Sequence, residues 1–174
     1  MILVLMRHGI AEELGEVTRS PGEPLPTDRD RALTELGKRR VRRAAIGLKK
    51  IGVRASIVVH SGLVRARQTA ELAAAVIAPR GSALVETAAL VPEADPDTFC
   101  RLLASWREHA ALLAVGHLPH LDSLVARLCG APDRLVTELG KAAAIAFDVP
   151  TSGRPVGTLL WYLPPKLLRQ LGRP

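Results

Sequence analysis

The sequence predicts one α/β domain, a three-layer α/β/α sandwich whose central sheet is mostly parallel with an antiparallel edge strand. Short apolar runs alternate with longer segments of helical periodicity, as they do in successive βαβ units. The 174 residues suit a single domain over 1–174, and 48% of them are hydrophobic against 24% charged. This composition excludes a disordered chain and a fibrous repeat.

The first element is the apolar run 2–6, Ile-Leu-Val-Leu-Met, which predicts a buried strand. Arg7 ends the run, which is far shorter than the ~20 residues that a membrane-spanning helix needs. We therefore expect a soluble, cytoplasmic protein that does not interact with membranes. Residues 11–32 follow with Gly, Pro, Ser and many charges but no periodicity, which predicts a long loop that is functional or mobile.

The second element is a helix from the N-cap Thr34 to about residue 51, with Val41, Ala45 and Leu48 on its apolar side. Its other side is strongly basic, a pattern typical of a solvated face. The basic residues are Lys38, Arg39, Arg40, Arg42 and Arg43.

Five more strands and three more helices complete the predicted pattern. The last two strands flank the turn-rich segment 150–155, which predicts an antiparallel hairpin at or near the sheet edge. In chain order we expect a strand at 55–59, a helix at 63–78, a weaker strand at 83–86, a helix from about 96 to 108, a strand at 111–115, a helix from 119 to 130, and strands near 143–149 and 157–162.

The charge balance is basic, because 24 Lys and Arg stand against 17 Asp and Glu, a net charge of +7. Such a surface attracts anionic partners. Nucleic acid is disfavoured among them, since only 3% of the residues are aromatic and little is available to stack on bases. The two cysteines, Cys100 and Cys129, are too few for a disulfide framework, and we interpret both as buried structural thiols.

Residues whose side chains can take part in catalysis or ligand binding follow three of the predicted strands. They are Arg7-His8-Gly9, Ser61 to Arg65, and Gly116-His117. Because the carboxyl ends of parallel strands meet at one edge of a sheet, we expect these segments to converge there and to line a ligand crevice.

The residue types at this edge predict a cationic pocket suited to a tetrahedral dianion. Arg7 and Arg65 offer planar donor forks, and Gly9 and Gly116 allow a backbone to approach a ligand closely. Metal binding is the competing interpretation of the histidines. The neighbouring arginines argue against a divalent cation, so we expect no metal and no cofactor.

Four motifs in chain order resemble those of the histidine phosphatase superfamily, which has the phosphoglycerate-mutase-like fold. The resemblance runs from residue 1 to about residue 130, and with the short chain it is greatest to the small bacterial phosphohistidine phosphatases of the SixA type. Ala32 and Gly62 replace prolines of the family pattern. The motifs are Leu5-Met6-Arg7-His8-Gly9, Arg31-Ala32-Leu33-Thr34-Glu35-Leu36-Gly37, Ser61-Gly62-Leu63-Val64-Arg65-Ala66-Arg67-Gln68-Thr69-Ala70, and Val115-Gly116-His117-Leu118-Pro119.

The resemblance implies that His8 is a nucleophile that forms a phosphohistidine intermediate. It implies that Arg7, Arg65 and a protonated His117 hold the phosphoryl oxygens, and that residues 11–32 lie near the site. It leaves the general acid open, with Glu93 as the first candidate and Asp95, Glu86, Asp28 and Asp30 behind it. The residues assigned to phosphate or substrate binding are Arg7, Gly9, Arg31, Ser61, Arg65, Gly116 and His117.

Three functions stay open at the level of sequence. The first is a phosphatase that acts on the phosphohistidine of a phosphocarrier or phosphorelay protein. The second is a phosphatase of small phosphoesters, such as sugar phosphates or nucleotides, covered by residues 11–32 as a lid. The third is a non-catalytic anion-binding module.

Overall fold

Six strands and five helices occur in the part of the chain that the computed structural model describes, residues 1–16, 25–132, 134, 137–150 and 156–173. Their bounds are β1 (Ile2–Arg7), α1 (Glu35–Lys50), β2 (Ile57–His60), α2 (Val64–Ile77), β3 (Ala83–Glu86), α3 (Pro96–Leu102), β4 (Ala111–Gly116), α4 (His120–Leu128), β5 (Ala144–Asp148), β6 (Thr158–Leu163) and α5 (Pro165–Leu171).

The strands form one mixed sheet in the order β3-β2-β4-β1-β5-β6. Strands β1 to β4 are parallel, β5 is antiparallel to β1, and β6 is antiparallel to β5. The predicted fold class and the predicted edge hairpin are therefore confirmed. The turn predicted at 150–155 lies outside the described residues from 151 onward.

Two apolar layers cover the sheet, because successive side chains of a strand point to opposite faces. Leu3 and Leu5 of β1 pack with residues of α3 and α4 on one face. Val4 and Met6 pack with residues of α1, α2 and α5 on the other. The three-layer α/β/α arrangement follows. Among the described residues, no helix is both long and apolar enough to cross a bilayer.

The long loop lies across the carboxyl edge of the sheet where it is described. Ala11 forms an isolated antiparallel bridge with Leu33, which closes the base of the loop. Short 3₁₀ turns occupy Leu14–Glu16 and Asp28–Asp30, while residues 17–24 lie outside the described part. After the loop, the Gly37 N–H donates to Thr34 Oγ1 at 2.9 Å, which confirms Thr34 as the N-cap of α1.

The structure differs from the sequence prediction at three places. The helix expected to reach residue 108 ends at Leu102 and continues as a 3₁₀ turn over Leu103–Trp106. The seven-residue helix α5 is not predicted, because it is too short to show a period, yet its Leu168 is fully buried. Cys100 is buried as expected, whereas Cys129 is exposed, which corrects the prediction for that thiol.

Candidate active site

Strand register brings the predicted segments together at the carboxyl edge. Arg7 pairs with Gly116 across β1 and β4, and the His8 N–H donates to the Gly116 carbonyl at 3.1 Å. The next residue after Gly116 is His117, and the centroids of the His8 and His117 rings are 4.8 Å apart. Two imidazoles that lie 109 positions apart in sequence therefore face each other.

The His8 ring has a defined tautomer. Its Nδ1 lies 2.7 Å from the Gly9 carbonyl, which can only accept a hydrogen bond, so Nδ1 carries the proton and Nε2 keeps its lone pair. The pKa of His8 is lowered to about 3, chiefly by burial and also by the positive charges of Arg65, Arg7 and Lys141, against the raising effect of the Gly9 hydrogen bond. The ring is neutral at pH 7, as a nucleophile must be.

The His117 ring is held by a hydrogen bond with Ser61. Its Nε2 lies 2.6 Å from Ser61 Oγ, and its Nδ1 is buried without a hydrogen-bond partner. The pKa of His117 is lowered to about 2, chiefly by burial and also by His8 and Arg65. Burial next to a second imidazole and a guanidinium thus opposes a positive charge on His117 in the protein without a ligand, and its protonation with a phosphoryl group bound stays a prediction.

The two arginines are each fixed at their outer nitrogens. Arg7 Nη1 donates to the Leu139 carbonyl at 2.8 Å. Arg65, which is 4% exposed, donates from Nη2 to Asp28 Oδ2 at 2.7 Å and from Nη1 to the Asp28 carbonyl. In both arginines the Nε is buried without a partner. Buried polar groups are nearly always hydrogen-bonded, so these exceptions need an explanation.

A common pattern runs through His8, His117, Arg7 and Arg65. In each side chain one nitrogen is fixed by the protein and another has no partner among the described residues. Donors fixed in this way do not have to reorganise when charge develops on a reacting group. The arrangement can therefore bind a tetrahedral oxyanion beside the Nε2 lone pair of His8.

The other predicted site residues differ in their placement. Arg31 donates from Nε to the Glu12 carbonyl at 2.6 Å and from Nη1 to Asp28 Oδ1 at 2.8 Å, so its fork is largely occupied. Glu93 is exposed and forms no hydrogen bond or ion pair with the described residues. Its role as the general acid stays a prediction.

The two glycines have a packing role that differs from the predicted one. A Cβ at Gly9 would lie 2.6 Å from Val41 Cγ2, and one at Gly116 would lie 3.1 Å from Leu121 Cδ2. Close approach to the neighbouring helices therefore explains both residues. The expectation that they also let a ligand approach the backbone stays a prediction.

The sequence patterns did not indicate the residues that fix the side chain of Arg7 and the end of β1. Asp122 Oδ1 accepts from the Leu139 N–H at 3.2 Å, and the Leu139 carbonyl in turn accepts from Arg7. Ala142 has a φ of 64°, and its N–H donates to the carbonyls of Arg7 and His8. An alanine gives no sequence signal for this left-handed conformation, which costs about 1 kcal/mol or more.

Metal binding finds no support in the described residues, where no group of three or more His, Cys, Asp or Glu side chains could hold an ion. Metal independence itself remains a prediction.

Two histidines and two arginines at one edge of a mostly parallel sheet are the arrangement expected of a phosphatase that uses a histidine nucleophile. Residues 3–91, just over half of the chain, match the sequence model of the histidine phosphatase superfamily, branch 1. The chain therefore belongs to that superfamily and has its phosphatase fold.

Individual relatives agree with this family. An uncharacterised protein of Picosynechococcus sp. strain PCC 7002 is 35% identical over 124 residues, which are 70% of this chain and 68% of that protein. The structure of the protein histidine phosphatase SixA in complex with tungstate superposes with a TM-score of 0.78 at 28% identity, covering 95% of this chain and 98% of that one. The alpha-ribazole phosphatase of Shigella flexneri shares the fold, with a TM-score of 0.70 at 19% identity over 95% and 97% of the two chains.

Buried neutral histidines make the stability of this protein sensitive to acid. The pKa values of His8, His117 and His120 are lowered to about 3, 2 and 4, chiefly by burial. The unfolded chain, whose histidines titrate near 6.5, therefore binds more protons than the folded one below that pH. The free energy of unfolding is therefore highest above about pH 6.5 as far as these histidines are concerned. As the pH falls to about 5, it decreases by about 2 kcal/mol for each histidine.

His120 allows a direct measurement, since both of its ring nitrogens are buried without partners. We expect His120→Leu to flatten the fall in the free energy of unfolding between pH 7 and pH 5, measured by urea denaturation. The same replacement at the partly exposed His109 serves as the control. An unchanged slope in His120→Leu would show that the ring is solvated in the folded state.

Proposed function

We propose that the protein is a metal-independent phosphatase that removes the phosphoryl group from a phosphohistidine of a phosphocarrier or phosphorelay protein. The observation that carries the proposal is the free Nε2 lone pair of His8 beside unpartnered buried nitrogens of Arg7, Arg65 and His117. A non-catalytic anion-binding module would need the donors but not a neutral, oriented imidazole.

The reaction has two displacements. His8 Nε2 attacks phosphorus in line, the Nε2–P bond forms, and the bond from phosphorus to the substrate nitrogen breaks. The substrate ring carries a proton on its other nitrogen and leaves as a neutral imidazole, while phosphorylated His8 keeps its Nδ1 proton. Water then attacks phosphorus and the new P–N bond breaks, with its electron pair returning to Nε2. Both protons of the water stay on the product, which leaves as dihydrogen phosphate, and His8 is neutral again. Nε of Arg7 and Nε of Arg65 donate to the phosphoryl oxygens in both steps, because they are fixed at their outer ends.

The remaining predicted contacts have supporting roles in this proposal. Ser61 orients His117 through its Nε2, so that the Nδ1 edge faces the phosphoryl group. As the dianion approaches, its charge raises the pKa of His117 and favours an N–H donor there. Arg31 is hydrogen-bonded to Asp28 and adds a positive charge near the site. The backbones of Gly9 and Gly116 set the spacing of the His8 and His117 rings.

The nature of the leaving group favours a phosphohistidine over a phosphoester. An ester oxygen needs a proton from a general acid, and Glu93, the first candidate, is exposed and forms no hydrogen bond or ion pair with the described residues. The P–N bond of a phosphoramidate is weaker and depends less on such an acid. The likeness to the SixA structure, at 28% identity, supports the same choice.

A basic surface beside the site fits a protein substrate. It consists of Arg39, Arg40 and Arg43 of α1 together with Arg169 of α5, and none of them forms an ion pair with a described residue. Burial and the charges of Arg40 and Arg43 lower the pKa of Arg169, which shows that the cations lie close together. The first turn of α1 adjoins the site, since the Thr34 N–H donates to the Ile10 carbonyl at 3.0 Å. An acidic phosphocarrier would be attracted to this surface.

We expect kcat/KM to be higher on a phosphohistidine protein than on a small aryl phosphate, and to fall with salt only on the protein substrate. The attraction is long-ranged and is screened over a Debye length of about 10 Å at 0.1 M salt. Reversal of Arg39, Arg40 and Arg43 to Glu should lower kcat/KM on the protein and leave the small ester unaffected. The measurement is steady-state phosphate release at several ionic strengths.

The matched control is a reversal of the exposed Arg80, Arg101 and Arg107 to Glu, which changes the net charge equally. Arg80 and Arg107 precede β3 and β4 and thus lie toward the opposite edge of the sheet. Equal losses in both triple variants would mean that only net charge matters. A higher kcat/KM on small phosphoesters than on any phosphohistidine protein would overturn the proposed substrate class.

A further inference from the structure

Asp28 places a carboxylate between two arginines of the site. Its Oδ1 accepts from Arg31 Nη1 at 2.8 Å, its Oδ2 accepts from Arg65 Nη2 at 2.7 Å, and its carbonyl accepts from Arg65 Nη1. The side chain of Asp28 is 57% exposed, whereas that of Arg65 is 5% exposed. The loop thus reaches a buried guanidinium through a residue that faces solvent.

These contacts use one particular edge of the Arg65 guanidinium. A guanidinium has five N–H donors in a fixed plane, and Asp28 takes the edge formed by Nη1 and Nη2. The neighbouring edge, formed by Nε and the second hydrogen of Nη2, keeps the buried Nε that has no partner. Asp28 therefore decides which edge of Arg65 is left for an oxyanion.

The segment that carries Asp28 is itself fixed. Asp30 Oδ2 accepts from the Thr27 N–H at 2.7 Å and from Thr27 Oγ1 at 2.8 Å, which closes the 3₁₀ turn Asp28–Asp30. Burial by itself would raise the pKa of Asp28, but the hydrogen bonds from Arg31 and Arg65 outweigh it and hold the pKa below its ordinary value. The carboxylate is ionised at pH 7 and is presented by a closed turn.

We propose that Asp28 is a positioning residue, which fixes Arg65 so that its Nε edge faces the phosphoryl group and which joins Arg31 to the same anchor. This inference rests on the proposed function, because it assigns Asp28 a role through Arg65. It differs from an autoinhibitory role, in which the carboxylate would occupy the phosphate position itself. The Nε edge is free of Asp28, which favours positioning over competition.

The test is Asp28→Asn, which keeps the side-chain size but loses the charge and one of the two acceptors. We expect kcat on a small aryl phosphate to fall about 10-fold or more, since misplacement of a catalytic donor is costly. The inhibition constant of inorganic phosphate should not rise, because the loss of a negative charge leaves the pocket more positive. Asp28→Glu, which keeps the carboxylate, should recover part of the lost kcat.

A double-mutant cycle separates positioning from a general structural role. Asp28→Asn should change kcat/KM less than about 2-fold in an Arg65→Ala background, because Asp28 acts through Arg65. Asp30→Asn, which leaves the Asp28 carboxylate in place, is the control for damage to the turn. Additive losses in the cycle, or an Asp30→Asn loss equal to that of Asp28→Asn, would overturn the inference.

Two other outcomes of Asp28→Asn also decide the question. A higher kcat with tighter phosphate inhibition would identify Asp28 as a competitor of the substrate. Unchanged kinetics with a lower melting temperature would make it a structural residue only. Binding of inorganic phosphate can be measured by calorimetry without turnover. The failure of the proposed function would be seen separately, as a lack of phosphatase activity in the wild type.

Discussion

Replacement of His8 by alanine should abolish turnover, because it removes the imidazole whose Nε2 lone pair is kept free by the hydrogen bond from Nδ1 to the Gly9 carbonyl. The Nδ1 proton is fixed on the Gly9 carbonyl and the pKa is lowered to about 3, so Nε2 is available over the whole physiological range. The measurement is phosphate release by purified His8→Ala. Wild-type protein quenched in acid-free conditions during turnover should carry an acid-labile phosphate on His8.

The matched control for His8 is His60→Ala. His60 is also a buried histidine at the carboxyl edge, at the end of β2, and its Nδ1 accepts from the Gly62 N–H at 3.1 Å. We expect this variant to keep activity within about 10-fold of the wild type, since no transition-state donor is removed. Wild-type activity in His8→Ala would contradict the covalent mechanism.

Arg65→Ala should lower kcat/KM by about 10² or more, the scale for loss of one preorganised donor to a developing charge. Arg65 is nearly fully buried, and its Nε lacks any protein partner. Arg67 lies about 200° further round α2. It is exposed, with its Nε 3.8 Å from Glu71 Oε1.

Arg67→Ala should therefore stay within a few fold of the wild type, because an exposed ion pair of this kind contributes little. Steady-state kinetics on the same aryl phosphate, with melting temperatures for both variants, compare the two changes directly. Similar losses at the two positions would mean that neither arginine contacts the phosphoryl group.

Local sequence patterns were sufficient for most of the fold. Runs such as 2–6 and 111–115 are continuous and apolar because their strands are buried on both faces, and this burial is visible in the residues themselves. The motifs at the ends of these strands then had to meet, since parallel strands share one carboxyl edge. His8, Arg65 and His117 could therefore be placed together without coordinates.

Several features depended on distances between residues that are far apart in the chain. Asp28 was only one of several acidic candidates, and its contact with Arg65, 37 positions away, depends on how the loop folds over the edge. Glu93, the preferred acid by resemblance, is exposed. Cys129 follows the buried Leu128 at the end of α4, where a helical rotation of about 100° turns the next side chain to solvent.

The sequence by itself determined the order of strands and helices from β1 to β6, the superfamily and the four side chains at the sheet edge, because apolar periodicity and motif spacing are local properties of the chain. Only the tertiary structure decided the charge of His117, since that charge depends on burial beside His8 and Arg65. It also decided which nitrogens of the arginines remain free, because their anchors, Asp28 and Leu139, come from distant segments. Hydrogen bonds and desolvation act through space, and no spacing along the chain encodes them directly.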